Sequence, residues 1–142
     1  MKKGSAAPST AVGLRLEKAA RAASARAYAP YSGFSVGAAV LAGSGKIYAG
    51  CNVENASYGL CTCAERTAIA GAVSAGERKI RAVAVYTPTA KPTAPCGACR
   101  QIIFEFGPDV SVTSVCDSAE RIDTRIAALL PSAFSGKSLK RK

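Results

Sequence analysis

The hydrophobic positions of this chain change from helical to strand-like spacing along the first fifty residues. Apolar residues recur at helical spacing from about Val12 to Tyr28, and Pro30 ends this pattern. Two short apolar runs follow, Phe34–Leu41 and Lys46–Gly50, joined by the glycine-containing segment 42–45. Such a pair of runs predicts an antiparallel β-hairpin that follows an N-terminal helix.

The rest of the chain alternates helical and strand patterns. A helical pattern from about Cys63 to Ala75 follows Thr62, which is a good N-cap residue, and stops at Gly76. The later elements are predicted as a strand at Ile80–Tyr86, a helix at Gly97–Phe106, a strand at Val110–Val115 and a helix at Arg121–Leu130. The order α-β-β-α-β-α-β-α indicates an α/β sandwich with a mixed sheet.

The two ends of the chain differ in composition from its body. Residues 1–10 are rich in Ser, Ala, Pro and Lys and are predicted to be a disordered tail, and residues 136–142 a basic tail. Residues 11–135 are then expected to form one compact domain, as a chain of 142 residues allows. No apolar stretch approaches the roughly 20 residues of a membrane-spanning helix. The N-terminus also lacks the apolar segment of a secretory signal, so we expect a cytoplasmic protein with no membrane partner.

The formal net charge of +10 raises the possibility of a nucleic-acid partner. Six of the basic residues lie in terminal segments without acids: Lys2, Lys3, Lys137, Lys140, Arg141 and Lys142. The body between these segments carries a formal charge of only about +4. Basic termini are more often solvated tails than specific arms, so the charge alone does not favour nucleic acid.

Three cysteines and a glutamate form the main chemical signal. Cys63 stands two residues before Glu65, Cys96 and Cys99 form a Cys-x-x-Cys pair, and the chain contains no histidine. Such a pair with a third, distant cysteine predicts a zinc site with one open coordination position. A redox pair or disulfide at Cys96 and Cys99 is the alternative, but the clustering and the missing signal peptide favour metal.

The placement of these residues at helix starts has chemical consequences. Helix N-termini are expected to lower thiol pKa values and so stabilise the thiolates that zinc needs. Glu65, close to an open zinc position, is predicted to carry protons. The alternative for Glu65 is a capping-box partner of Thr62. Arg66 and Arg100 directly follow the cysteine clusters and are either donors to thiolate sulfur or ordinary surface charges.

Several segments together resemble the small homotetrameric zinc-dependent cytidine deaminases. These segments are Tyr31–Ala39, Cys51–Gly59, Cys63–Ala68, Pro95–Gln101 and the C-terminal Leu129–Phe134. They stand in the family's order, and the resemblance covers about residues 12–135. The resemblance implies a three-layer α/β/α sandwich with a mixed five-stranded sheet, one Zn²⁺ per chain and a homotetramer with shared active sites.

The resemblance also implies a reaction and its residues. The reaction is hydrolytic deamination of cytidine and 2′-deoxycytidine to uridine and 2′-deoxyuridine, with release of ammonia, in pyrimidine salvage. Cys63, Cys96 and Cys99 would hold zinc, and Glu65 would shuttle protons during attack on C4 of cytosine. The implied substrate contacts are Asn52 and Glu54 at the ribose, chiefly its 3′-hydroxyl, Phe34 at the base, Ala64, and Tyr58 and Phe134, which would complete a neighbouring subunit's pocket.

Three residues depart from the family pattern: Ser35, Cys61 and Ser132. None is a proposed zinc ligand, so the departures concern substrate preference rather than the reaction, and Cys61 is expected to be a small buried filler. The alternatives are a blasticidin-type nucleoside antibiotic deaminase, an RNA- or DNA-binding or editing protein, and a purely structural zinc module. A core position is the alternative for Phe34.

Overall fold

The computed structural model describes residues 8–139. Most of the predicted disordered tail and residues 140–142 of the basic tail lie outside this range. Helix α1 (Thr10–Ser24) begins within the predicted tail, because the Ser9 hydroxyl accepts a hydrogen bond from the N–H of Val12 at 3.5 Å. It ends before Tyr28, which forms an isolated bridge with Val53 instead. The division into two tails and one domain otherwise stays a prediction.

Five strands form one mixed sheet in the spatial order β2-β1-β3-β4-β5. Only the β3–β4 pair is parallel, and the other neighbours are antiparallel. The strands are β1 (Gly37–Ala42), β2 (Ile47–Cys51), β3 (Ile80–Tyr86), β4 (Ser111–Val115) and β5 (Arg121–Arg125). The mixed five-stranded sheet is therefore confirmed.

Helices cover both faces of this sheet. Side chains of β1 alternate, so that Ala39 and Leu41 pack with α1 whereas Ala38 and Val40 pack in the larger core on the opposite face. That opposite face carries three helices: α2 (Ala64–Ser74), α3 (Gly97–Phe106) and α4 (Ile126–Leu129). The three-layer α/β/α arrangement is thus confirmed. Within residues 8–139, no helix has the length and apolarity needed to span a membrane.

The prediction of one helix over Arg121–Leu130 is wrong for its first half, which is strand β5. Along β5, half-buried residues alternate with exposed ones, which is the pattern of an edge strand. Asp123 lies opposite Thr113 of β4 and accepts a hydrogen bond from its hydroxyl at 2.8 Å. Arg121 pairs with Glu17 of α1 at 2.9 Å. These cross-strand and interlayer contacts outweigh local helix propensity, and only α4 remains helical.

Close packing of α2 on β2 fixes where the chemical residues lie. A Cβ atom at Gly50 would come within 2.5 Å of the backbone nitrogen of Ala68, so only glycine lets the two elements approach this closely. This contact positions the N-terminal end of α2, which carries Cys63 and Glu65, beside the end of β2 that leads to Asn52.

Candidate active site

Three cysteine sulfurs lie together at the starts of two helices. Cys63 is the N-cap of α2, Cys96 is the N-cap of α3, and Cys99 lies in the first turn of α3. Their Sγ atoms all lie within 4.8 Å of one another, and those of Cys63 and Cys96 are 4.0 Å apart. Tetrahedral zinc with bonds of about 2.3 Å to sulfur needs sulfur–sulfur separations of about 3.8 Å. The donor set therefore fits zinc, and all six cysteines are free thiols.

The thiols differ in how readily they give up a proton. Burial raises the pKa of Cys63 and raises the pKa of Cys99 strongly. Burial also opposes ionisation of Cys96, but hydrogen bonds from Cys99 and Cys63 lower its pKa overall. The prediction that helix starts lower the thiol pKa values is therefore wrong for Cys63 and Cys99, where desolvation dominates. Without metal these two thiols hold protons, which an incoming metal ion must displace.

Glu65 lies in the first turn of α2 and is only 5% exposed. Burial raises the pKa of its carboxyl group, which is the direction of shift expected of a carboxyl group that accepts and returns protons. The alternative of a capping box with Thr62 is wrong, because the N-cap is Cys63 and it forms no side-chain capping bond. Thr62 instead exchanges two backbone hydrogen bonds with Val53, each 2.9 Å long.

A cavity of about 240 Å³ joins the cysteine cluster to the predicted substrate residues. This is slightly below the range of roughly 300–1,000 Å³ typical of drug-sized ligands, which suits a small molecule. The predicted residues that line it are Phe34, Asn52, Glu54, Cys63, Ala64, Glu65 and Cys96. A larger groove of about 430 Å³ lies between α1 and the β3–β5 part of the sheet, and its lining includes no cysteine.

The cavity wall also contains residues that sequence reasoning missed. Thr87 follows the end of β3, and Thr93 and Ala94 precede the cysteine pair. Adjacency to Cys96 could have indicated Thr93 and Ala94, whereas no sequence signal marked Thr87. Cys61 lines the cavity and is partly exposed, so the prediction of a buried filler is wrong.

Asn52 and Glu54 follow β2 and are held by the segment that leads into β1. The Glu54 Oε1 atom accepts hydrogen bonds from the backbone N–H groups of Tyr31 at 2.9 Å and Ser32 at 3.1 Å. Its Oε2 atom accepts a 2.5 Å bond from the Ser32 hydroxyl. The side-chain bond from Ser32, with the two backbone bonds, keeps the pKa of Glu54 below its ordinary value despite desolvation, so the carboxylate is charged at neutral pH.

Phe34 lies at the cavity rather than in a strand. The pattern predicts that the first strand begins at Phe34, but β1 begins at Gly37. The Phe34 carbonyl accepts a hydrogen bond from Asn52 Nδ2 at 2.7 Å, and the N–H of Val36 donates to Asn52 Oδ1 at 2.8 Å. The Phe34 carbonyl and the Val36 N–H, which would pair with a neighbouring strand if β1 extended to Phe34, are thus bound by the Asn52 side chain. The Phe34 ring is 39% exposed, which rules out the core alternative.

Tyr58 and Phe134 lie on the surface of the chain and do not line its own cavity. Tyr58 is 72% exposed and makes an edge contact with Tyr31, with 5.8 Å between ring centroids. Phe134 is 59% exposed, and its carbonyl accepts a hydrogen bond from Gln101 of α3 at 2.9 Å. Both side chains are therefore exposed on the surface of the single chain.

The two arginines that follow the cysteine clusters serve other contacts. Arg100 donates to the backbone carbonyls of Pro95 at 2.7 Å and Leu129 at 3.0 Å. Arg66 lines a shallow apolar groove between α2 and α3. Within residues 8–139, neither guanidinium donates to a cysteine sulfur. Arg100 instead fixes the residue directly before Cys96.

The sequence and fold of this chain match a known zinc-binding family. The profile of the cytidine and deoxycytidylate deaminase zinc-binding region matches residues 14–115. The chain belongs to this family. Relatives in the family include the cytidine deaminase of Sporosarcina psychrophila, 50% identical over 117 residues that cover 80% of this chain and 85% of the relative. The cytidine deaminase of Mycobacterium tuberculosis is 41% identical over 120 residues, which cover 84% of this chain and 87% of the relative.

Solved structures of family members have the same fold. The crystal structure of cytidine deaminase from Burkholderia pseudomallei is 51% identical and superposes with a TM-score of 0.82, covering 85% of this chain and 98% of that chain. The cytidine deaminase of Mycobacterium leprae is 39% identical with a TM-score of 0.74, covering 84% and 98% of the two chains. This chain therefore has the fold of these deaminases, and the zinc-binding region of the family includes all three cysteines of the cluster.

Proposed function

We propose that this protein is a zinc-dependent cytidine deaminase that converts cytidine and 2′-deoxycytidine to uridine and 2′-deoxyuridine with release of ammonia. The observation that carries the proposal is the shared cavity: two thiols of the three-cysteine cluster, the buried carboxyl group of Glu65 and the side chains of Asn52 and Glu54 all line it, and Cys99 completes the cluster from beneath its wall. The names of the family's relatives support the same reaction.

The chain's own residues divide the chemical work. Cys63, Cys96 and Cys99 would hold Zn²⁺, which when bound would supply a water molecule of lowered pKa for the attack. As the oxygen of the attacking water bonds to C4 of cytosine, Glu65 accepts one proton from that water and delivers it to ring N3. Glu65 then moves the second proton from the same oxygen to the exocyclic nitrogen, so that the C4–N bond breaks and ammonia leaves. Burial raises the pKa of Glu65, which makes the protonated form of this group easier to reach than that of an exposed carboxylate. The small, partly enclosed cavity limits competing water around the base.

The hydrogen bonds at Asn52 and Glu54 leave room for one substrate hydroxyl. A carboxylate accepts at about four positions. Two donors on Oε1 and one on Oε2 leave one position of Glu54 open. The Asn52 amide has two N–H groups, and one already donates to Phe34. One acceptor and one donor remain, which matches a single hydroxyl that both donates and accepts. We assign it to the ribose 3′-hydroxyl, because 2′-deoxycytidine keeps that group.

The same geometry weighs against a polynucleotide substrate. In a polynucleotide the 3′-oxygen carries a phosphate and has no hydrogen to donate to Glu54. Hydrogen bonds from Ser32 and Tyr31 hold the pKa of Glu54 low, so its negative charge would repel the phosphate. Free cytidine should therefore be deaminated and single-stranded DNA or RNA should not. Deamination of an oligonucleotide at a comparable rate would overturn this proposal.

A blasticidin-type antibiotic is the nearest alternative small substrate. It shares the cytosine base, so the metal site and Glu65 do not discriminate. The single-hydroxyl site at Asn52 and Glu54 favours an ordinary nucleoside. Initial rates with cytidine and blasticidin S at equal concentration distinguish the two activities: faster turnover of cytidine is expected, and exclusive turnover of the antibiotic would contradict the assignment.

We also propose that the enzyme is a homotetramer with shared active sites. Tyr58 and Phe134 are large exposed rings outside their own chain's cavity, as expected of groups that complete a neighbour's pocket. The apolar groove between α2 and α3 offers a further surface for a second copy, lined by Thr62, Arg66, Ile69, Ala70, Val73, Ile102 and Phe106. Light scattering of the purified protein tests the tetramer.

Subunit mixing tests whether the sites are shared. Phe134→Ala subunits keep Glu65 but lack the donated ring, whereas Glu65→Ala subunits keep the ring but lack the proton carrier. Each variant alone should be nearly inactive. Unfolding and refolding them together should restore part of the wild-type activity, because some Phe134→Ala subunits acquire an intact neighbour. Absence of any restoration in confirmed mixed tetramers would contradict shared sites.

We place the reaction in the cytoplasm, as a step of pyrimidine salvage. All six cysteines are free, and three of them form the site, which suits a reducing compartment. Fractionation of the source cells, with deaminase activity measured in each fraction, tests the location. Activity confined to an extracellular or membrane fraction would contradict it.

A further inference from the structure

Ser32 lies behind the cavity wall, in contact with Glu54 and Phe34, which line the cavity. Its hydroxyl donates to Glu54 Oε2 at 2.5 Å and accepts from the N–H of Phe34 at 3.0 Å. It therefore links a ribose-binding group directly to the backbone of the residue assigned to the base. Gly33 between them has a φ of +66°, a conformation that favours glycine, and this turn brings the Phe34 N–H back to the Ser32 hydroxyl.

We infer that Ser32 is a positioning residue for the proposed nucleoside deaminase, whose hydroxyl holds Glu54 and Phe34 in one arrangement for the sugar and the base. The inference rests on the proposed function, because it needs a nucleoside in the cavity. Ser32 acts through its two neighbours rather than by touching the reacting atoms.

The hydrogen-bond pattern explains why this one hydroxyl matters. The two backbone N–H groups bind only Oε1 of Glu54, which leaves the carboxylate free to swing about that contact. The Ser32 hydroxyl binds Oε2 and stops this motion, so that the open acceptor position of the Glu54 carboxylate has a fixed orientation. On the other side, Asn52 holds the carbonyl of Phe34 while Ser32 holds its N–H. Both ends of the Phe34 backbone unit are then fixed before substrate binds.

The position of Ser32 argues against a role in stabilising the fold. Ser32 is exposed and belongs to neither a strand nor a helix, so its hydroxyl contributes nothing to the core. Ser74, an exposed residue at the end of α2 that does not line the cavity, provides a control, because its hydroxyl makes no hydrogen bond in residues 8–139.

The test compares Ser32→Ala, Ser32→Thr and Ser74→Ala with the wild type, all with zinc bound. With cytidine, Ser32→Ala should lose roughly 10-fold in kcat/KM, mostly through KM, as expected for loss of a hydrogen bond to a charged group. Ser32→Thr keeps a hydroxyl and should recover most of the loss. Ser74→Ala should stay within about 2-fold of the wild type, and all variants should unfold at the wild-type temperature within the error of measurement.

A double-variant comparison separates positioning from structural damage. In a Glu54→Ala background, removal of the Ser32 hydroxyl should cost at most about 2-fold in kcat/KM, because its main partner is gone. An equal loss in both backgrounds, or no loss from Ser32→Ala in the wild type, would overturn the inference. Wild-type protein that leaves cytidine unchanged would instead refute the proposed function, so the two failures are distinguishable.

Discussion

The substitution Glu54→Gln examines the recognition of a single hydroxyl, because it changes one atom and reverses its hydrogen-bonding sense. Two backbone N–H groups face Oε1, so the glutamine must place its carbonyl oxygen there. Its NH₂ group then takes the position of Oε2, beside the Ser32 hydroxyl, which can rotate to accept from it. The substrate hydroxyl meets a donor where the wild type offers an acceptor.

The size of the effect follows from this inversion. A hydrogen bond to a charged group contributes about 1.5–3 kcal/mol, and the lost acceptor leaves the substrate hydroxyl without a partner at that position. With cytidine we expect kcat/KM to fall by roughly 10- to 150-fold, a range that corresponds to those energies. With 3′-deoxycytidine the same variant should change kcat/KM by less than about 3-fold, since that substrate has no hydroxyl to lose.

The assay follows the absorbance change as cytidine becomes uridine, for both nucleosides and both proteins at matched zinc content. Glu105→Gln, an exposed carboxylate on α3 with no hydrogen bond in residues 8–139, controls for the general effect of removing a negative charge. An equal loss with both nucleosides would refute the reasoning, because it would mean that Glu54 supports the fold rather than the sugar.

Three further predictions concern packing and the metal. Gly50→Ala should lower the unfolding temperature and the activity, because the added Cβ would clash with the α2 backbone. Gly71→Ala, at a position of α2 with open space around it, should instead stabilise the protein by roughly 0.5–1 kcal/mol. Thermal unfolding of both variants tests the pair. Arg100→Met should speed zinc loss to a chelator, because two carbonyls that fix the start of α3 lose their donor; equal rates of loss would contradict this. Since burial raises the pKa of Cys63 and Cys99, zinc must displace their protons, so its apparent affinity should rise with pH between 6 and 8. Uptake should release at least two protons per zinc. Competition with a coloured chelator measures the affinity and a pH indicator measures the protons; an affinity independent of pH would count against the assigned ligands.

The hydrophobic pattern predicted the central elements well and the edges of the domain poorly. Strand Ile80–Tyr86 and helix Gly97–Phe106 have the bounds that the sequence predicts, because each has a strong apolar pattern and clear stop residues. Arg121–Arg125 has the polarity of a surface helix, and only its pairing with β4 makes it a strand. That pairing is a tertiary contact, which local sequence does not encode.

The chemical residues were more predictable than their environment. The spacing of Cys63, Cys96 and Cys99 marked the ligands, since few other roles need such a pattern. The pKa values of the buried thiols were not predictable, because desolvation depends on what the folded chain places around them. Ser32 lies in the resembling segment Tyr31–Ala39, but nothing in the sequence indicated its contact with Glu54, which only the folded turn brings about.

The central claim is that Glu65 moves protons in a zinc-dependent deamination, and one paired measurement on Glu65→Gln tests it most directly. Zinc content and cytidine turnover are measured on the same preparations of wild type and variant. We expect one zinc per chain in both proteins and a turnover rate at least about 1,000-fold lower in the variant, within the range lost with a general acid–base group. A variant that retains zinc and deaminates cytidine at the wild-type rate would contradict the account.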